Sequence, residues 1–196
     1  MSSPINLQHV NVKLLAQDPE DVDLEPLIPV FHRWIREHVF DELLLDVADY
    51  RHVPEGPGVV LIGHQANYSV DNADNRLGVR YNRKAPREGA NFDRLRQATF
   101  AALSAFERLA TETELAGKLR FNGHDVEVFV NDRLFAPNDE TTRKVLTPEL
   151  RTFFDKLFKG SEYSLSHGSD PRSLFGVYVK SARSFSLADL FANLAQ

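Results

Sequence analysis

The chain contains no cysteine. That excludes disulfides, thiolate nucleophiles, iron–sulfur clusters and Cys-type zinc sites in one step. It also lacks any apolar run near the roughly 18 residues that a bilayer crossing requires. The opening MSSPINLQHVNV has no basic segment followed by a long apolar one, so it does not read as a secretory signal. Basic residues are in deficit, 23 Lys and Arg against 28 Asp and Glu, and the net charge of −5 is the wrong sign for a general nucleic-acid surface. Phosphate loops are missing too: neither G-x-x-x-x-G-K-[ST] nor G-x-G-x-x-G occurs, and the run Pro54-Glu55-Gly56-Pro57-Gly58 places prolines where a cradle needs amide donors. These absences point to a cytoplasmic protein with no cofactor, no nucleic-acid partner and no membrane partner.

What is present suits an ordinary folded domain: 196 residues, 42% hydrophobic and 26% charged, with 14 Phe to fill a core. The clearest pattern runs from Leu43 to Arg83. Apolar runs rich in Val, Ile, Leu and Tyr are separated by clusters of Pro, Gly, Asn and Asp, the pattern of antiparallel strands joined by short turns. Upstream, the alternation in His9–Leu15 predicts a strand, and Leu24, Leu27, Ile28, Phe31, Ile35 and Val39 recur at helical spacing. A long helix opens at Asn91, with Ala98, Ala101 and Ala105 as a small-residue flank that could seat another element or a second copy. Asn122-Gly123 predicts a hairpin between Lys118–Phe121 and Val126–Val130. Thr147-Pro148 reads as the start of a further helix closed by Gly160, followed by a hairpin over Tyr163–Ser166 and Leu174–Lys180. Ser186 and Asp189 form a capping box for a short final helix.

The helix-then-hairpin plan recurs over about 24–63, 91–131 and 147–180, without repetition of residue identities. The expected class is α+β: a mainly antiparallel sheet built from hairpins, with helices on one face. No low-complexity linker interrupts it, so residues 1–196 are expected to form one domain, with 184–196 an amphipathic helix that docks on its own domain or on a partner.

Candidate chemistry is sparse. None of the seven histidines forms an i, i+4 pair or an H-E-x-x-H, so no metal site is expected. The run Asp71–Asn75 has Asn82 at the twelfth position, where a calcium loop needs Glu, and reads as a turn. GHQANYS is not a nucleophile elbow. One acid–base arrangement can be drawn. If the PEGPG turn pairs His52 with Gly58, Tyr50 falls opposite Val60 and Asp46 opposite His64, with Tyr68 nearby. A one-residue slip would abolish it.

Charge is segregated. Ten acidic residues stand against two basic between Asp18 and Asp49; seven basic stand against two acidic between Arg76 and Arg96. Arg76, Arg80, Arg83, Lys84 and Arg87 are therefore candidates for holding an anionic ligand. Leu187, Leu190, Phe191 and Leu194 are candidates for an interface, the apolar side of the last helix. The preferred functional expectation is a non-catalytic binding or assembly protein, self-associating or docking on a protein partner. One alternative is a small enzyme using Asp46 and His64 near Tyr50, His52 and Tyr68; another is a sensor of a small anionic ligand.

Overall fold

A computed structural model describes residues 5–195. Its centre is an eight-stranded sheet, antiparallel throughout, in the order β2-β3-β4-β5-β1-β6-β8-β7. In chain order the elements are β1 (Val10–Gln17), α1 (Leu27–Glu37), β2 (Leu44–Tyr50), β3 (Gly58–Gly63), β4 (Ala66–Asp71), β5 (Gly78–Arg83), α2 (Asn91–Ala110), β6 (Arg120–Val130), α3 (Glu140–Leu157), β7 (Tyr163–His167), β8 (Phe175–Ser181) and α4 (Leu187–Ala195). The four helices pack against the sheet in a single domain, as the alternation and helical spacing anticipate.

Strand parity sorts the side chains. Val12, Leu14, Val59, Leu61, Tyr68, Val70, Val79, Tyr81, Val126, Val128, Val177 and Val179 point to the helices and join one hydrophobic core. Alternate positions point the other way, and across the middle of the sheet they are polar: Asn11 and Lys13 on β1, Asn67 and Ser69 on β4, Arg80 and Asn82 on β5, Glu127 on β6.

Local sequence explains most boundaries. Strands β2 to β5 form the meander read from Leu43 to Arg83, but β2 and β3 pair two residues away from the expected register. Tyr50 lies opposite Gly58, Ala48 opposite Val60 and Asp46 opposite Ile62, with a bulge between Leu44 and Asp46. Pro54 and Pro57 cannot donate to a ladder, so pairing stops at Tyr50 and His52 falls in the turn. Gly58 then resumes the strand at φ +67°, where a Cβ would meet the Val70 carbonyl oxygen at 2.1 Å.

Two other expectations change. Asn122-Gly123 does not reverse the chain: β6 runs straight through it beside β1, and the register shifts there by a bulge. The Asn122 side-chain oxygen accepts from the His124 and Asp125 amides at 2.9 and 3.0 Å, so the Asn closes a local loop within the strand. Helix α3 begins at Glu140, well before Pro148, capped by Asp139, whose carboxylate accepts from the Thr142 amide at 2.8 Å. Pro148 sits inside it on the exposed side, where solvent can reach the carbonyl it leaves unbonded.

The capping box at α4 forms as read: the Asp189 carboxylate accepts from the Ser186 amide at 2.9 Å, and the Ser186 hydroxyl accepts from the Asp189 amide at 3.1 Å. Its apolar side lies on the chain's own helices. Leu190 and Leu194 are fully buried, Leu187 and Phe191 are half-buried, and Phe191 meets Phe100 of α2 with ring centroids 5.6 Å apart. Burial of two leucines is worth roughly 1.5–3 kcal/mol each, which holds a helix too short to persist alone.

Candidate functional site

A concavity lies on the helix side of the sheet, where the α1–β2 connection, the β4–β5 strands and α2 meet. It encloses about 420 Å³, and its walls come from Phe40, Glu42, Tyr68, Tyr81, Arg83, Arg87 and Gln97. That volume falls in the range of small-molecule sites. Strand parity places Tyr68, Tyr81 and Arg83 on the helix side, and α2 brings Gln97 over them.

The floor is aromatic. Phe40 stacks on Tyr68 at 4.8 Å between centroids with planes 18° apart, and Tyr68 meets Tyr81 edge-on at 5.3 Å. Trp34, the single tryptophan, meets Phe40 edge-on at 5.5 Å, so the stack connects the pocket to a spectroscopic reporter. Gln97 donates to the Tyr81 hydroxyl at 3.0 Å and fixes that ring.

One acidic group is held in place. One Glu42 oxygen accepts from the Gln65 amide at 2.6 Å and from the Ala66 amide, and the other accepts from the Tyr68 hydroxyl at 3.3 Å. Gly63 makes room for it, since a Cβ there would meet the Glu42 oxygen at 2.6 Å. Burial, followed by the neighbouring Glu42 charge, pushes the Tyr68 hydroxyl well above the usual tyrosine range, so it remains a donor.

The cationic groups are less committed. Among the described residues Arg83 donates only to the Ala85 and Pro86 carbonyls, at 2.8 and 3.4 Å. Arg87 is exposed, and its guanidinium has no partner among the described residues. The rim therefore carries two guanidinium groups, neither in an ion pair among the described residues, in a cavity whose lining also includes the Asp41 and Glu42 carboxylates.

A second polar cluster occupies the opposite face of the sheet. The Lys13 ammonium lies 2.6 Å from Asp71, both side chains 2% exposed, and Arg80 reaches the other Asp71 oxygen at 3.3 Å. Beside them Arg76 bonds Glu127, itself 3% exposed. Burial pushes the Glu127 carboxyl up, while the nearby Lys13 pulls it down.

The candidate residues are distributed as follows. Asp46 is exposed and bonds its own neighbour's amide at Val47, 2.8 Å away, while His64 is exposed and donates its backbone N–H to the Leu43 carbonyl. The expected Asp46–His64 juxtaposition is replaced by Asp46 opposite Ile62. Tyr50 and His52 stand exposed at the end of β2, and Tyr68 points to the other side of the sheet. The basic run is split by strand parity: Arg80 goes to the far face, Arg83 to the pocket. Arg76 pairs with Glu127, Lys84 bonds the Gly63 carbonyl, and Arg87 stands at the rim. No ion pair among the described residues joins the acidic segment 18–49 to the basic segment 76–96.

Sequence reasoning missed Phe40, Glu42, Tyr81 and Gln97, which reach the pocket from separate elements. It also missed Lys13, whose place between Val12 and Leu14 in an apolar strand was a readable signal of a buried charge. Compared with protein families, with curated proteins and with solved structures, the chain gives no significant match in any of the three.

Proposed function

We propose that this is a non-catalytic binding protein that holds a small anionic molecule carrying a planar ring in the Phe40–Tyr68–Tyr81 pocket. The observation that carries the reading is a pair of guanidinium groups at the rim of an aromatic-floored cavity of about 420 Å³: the Arg87 guanidinium has no partner among the described residues, and Arg83 donates to backbone carbonyls rather than to a carboxylate. Guanidinium groups bind carboxylate and phosphate through paired N–H donors, and rings stack on Phe and Tyr faces. A binding role suits the interior better than catalysis. Tyr68 and Glu42 engage each other, the remaining Glu42 oxygen is taken by two amides, and the other lining carboxylate, Asp41, is exposed to solvent with no histidine in the lining to work with it. General acid–base work needs a group with a free valence aimed at the reactant.

The test is a titration of 4-hydroxybenzoate, a ring with one carboxylate, followed by Trp34 fluorescence. Saturable change in the wild type, weakened about tenfold or more in Arg87→Gln, is expected, because hydrogen bonds to charged groups are worth roughly 1.5–3 kcal/mol. Equal response to the neutral 4-hydroxybenzyl alcohol would remove the anionic part of the reading.

A second reading, assembly through the β2 edge, is favoured by one observation. Among the described residues, four of the six exposed large apolar side chains, Leu43, Leu45, Tyr50 and Val53, lie on or beside that unpaired edge strand. Sedimentation of Leu45→Lys tests it: a wild-type dimer that the variant converts to monomer supports assembly, and a wild-type monomer ends it.

A further inference from the structure

The far face of the sheet carries none of the helices α1 to α4, yet its central polar side chains are among the most buried of the described residues. Asn11, Lys13, Asp71 and Glu127 are all 3% exposed or less. The strand register sets them in rows. Asn67, Asn82, Asn11 and Phe129 follow one another across β4, β5, β1 and β6; Ser69, Arg80, Lys13, Glu127 and Tyr178 follow across β4, β5, β1, β6 and β8. The second row is polarised: two cations, then an anion and a tyrosine.

A cavity of about 170 Å³ opens over this row, walled by the Ala73–Asp74 turn on one side and by Ser173–Leu174 on the other. Its volume equals about five or six waters at roughly 30 Å³ each, the scale of a small polar molecule. Several valences facing it are unfilled among the described residues. Lys13 gives one N–H to Asp71 and makes a long contact to the Ala73 carbonyl at 3.5 Å, leaving a third donor. Arg80 lies over the Phe129 ring at 5.2 Å, bonds Asp71 through one amino group, and its Nε is buried without a partner. Glu127 offers one oxygen to Arg76 and keeps the other. Asn11 behind them has both side-chain polar atoms buried and unmatched. A buried, half-filled polar network is costly when nothing completes it.

We propose that this cavity is a second binding site, for a small zwitterion of the free α-amino acid class. The ligand carboxylate lies at the Lys13–Arg80 end and its ammonium at the Glu127–Asp74 end beside Tyr178. The placement of the two ends follows from the row itself: cations on β5 and β1, sharing the single carboxylate of Asp71, and an anion on β6, with Asp74 and Tyr178 in the wall of the same cavity. A volume of about 170 Å³ suits an amino acid with a short side chain, and Phe129 and Leu174 supply the apolar part of the wall. An anion alone would face Glu127 and Asp74, and a cation alone would face Lys13 and Arg80, so each half-ligand meets one repulsive end.

Calorimetric titration of the whole chain with L-alanine and L-serine, and separately with acetate and with methylammonium, tests this. Saturable binding of either amino acid, at least about tenfold tighter than acetate or methylammonium, is expected from the loss of one charged hydrogen-bond set in each half-ligand. Glu127→Gln keeps the shape and the Arg76 contact and should weaken amino-acid binding about tenfold or more. Ser173→Trp, at an exposed position on the wall, should abolish it. Both variants are melted alongside the wild type, so a folding defect in one leaves the other to decide. No saturable binding of either amino acid at millimolar concentration overturns the proposal, and so does acetate binding as tightly as alanine. Neither variant touches the Tyr68 pocket, so its response to 4-hydroxybenzoate fails or holds independently.

Discussion

Replacing Lys13 by methionine keeps the length of the stem and deletes the ammonium, leaving Asp71 buried. The two groups are 2.6 Å apart with side chains 2% exposed, so the lost partner is replaced by no more than the water the small adjoining cavity admits. Breaking a buried ion pair from one side costs about 3–5 kcal/mol. Asp71 still has Arg80 at 3.3 Å and the Ala73 amide at 3.1 Å, which places the expected loss at the low end, about 3 kcal/mol. For a chain of this size about 2–4 °C of Tm follows each kcal/mol, so the midpoint should fall by about 6–12 °C. Urea unfolding should show the same loss as a shift in midpoint at constant slope. Lys13→Met with Asp71→Met should be less damaging than the two single changes added together, because the Lys13–Asp71 pair leaves as a unit and only the Arg80 and Ala73 contacts are lost besides. A cost under about 1 kcal/mol for Lys13→Met, the size of an exposed pair, would refute the burial argument.

Leu190→Ala should cost about 2–5 kcal/mol in the same unfolding assay, since the side chain is fully buried under α2 and α3; an effect near zero would mean α4 is not docked on its own domain. His167 has its pKa lowered from 6.5, first by burial and then by the Arg143 charge, so the unfolded chain binds its proton more readily. Its contribution is present above pH 6.5 and is lost as pH falls below that value, and His167→Gln should flatten the stability profile in that window. Gly63→Ala should displace Glu42, because the new methyl would stand 2.6 Å from its oxygen and 2.5 Å from the Ala66 carbonyl; an unchanged Trp34 emission and melt would contradict that geometry.

The four-stranded meander was legible because its information is local: Val60, Leu61 and Ile62 sit between turn residues that no helix accommodates. The Asp46–His64 register was not, because it depended on where Pro54 and Pro57 end the ladder. Asn122-Gly123 misled for a related reason. The dipeptide permits a turn, but the neighbouring β1 strand extends far enough to pair on both sides of it, and a bulge forms instead. Pro148 likewise marks a helix start only where nothing upstream is helical, and the Asp139 cap lies nine residues earlier. The basic run from Arg76 to Arg87 was visible as a cluster, but alternation along β5 sends Arg80 and Arg83 to opposite faces. The pocket needed Glu42 and Gln97 from elements distant in sequence, and no local pattern joins them.

The central claim, an anion-binding pocket built on Phe40, Tyr68 and Tyr81, is tested most directly by amide ¹H–¹⁵N spectra during titration with 4-hydroxybenzoate. The account predicts saturable shifts concentrated at Gln65, Ala66, Tyr68, Arg83, Arg87 and Gln97, and their loss in the Arg83→Gln, Arg87→Gln double variant. Shifts scattered over the surface, or an unaltered response in the double variant, would contradict it.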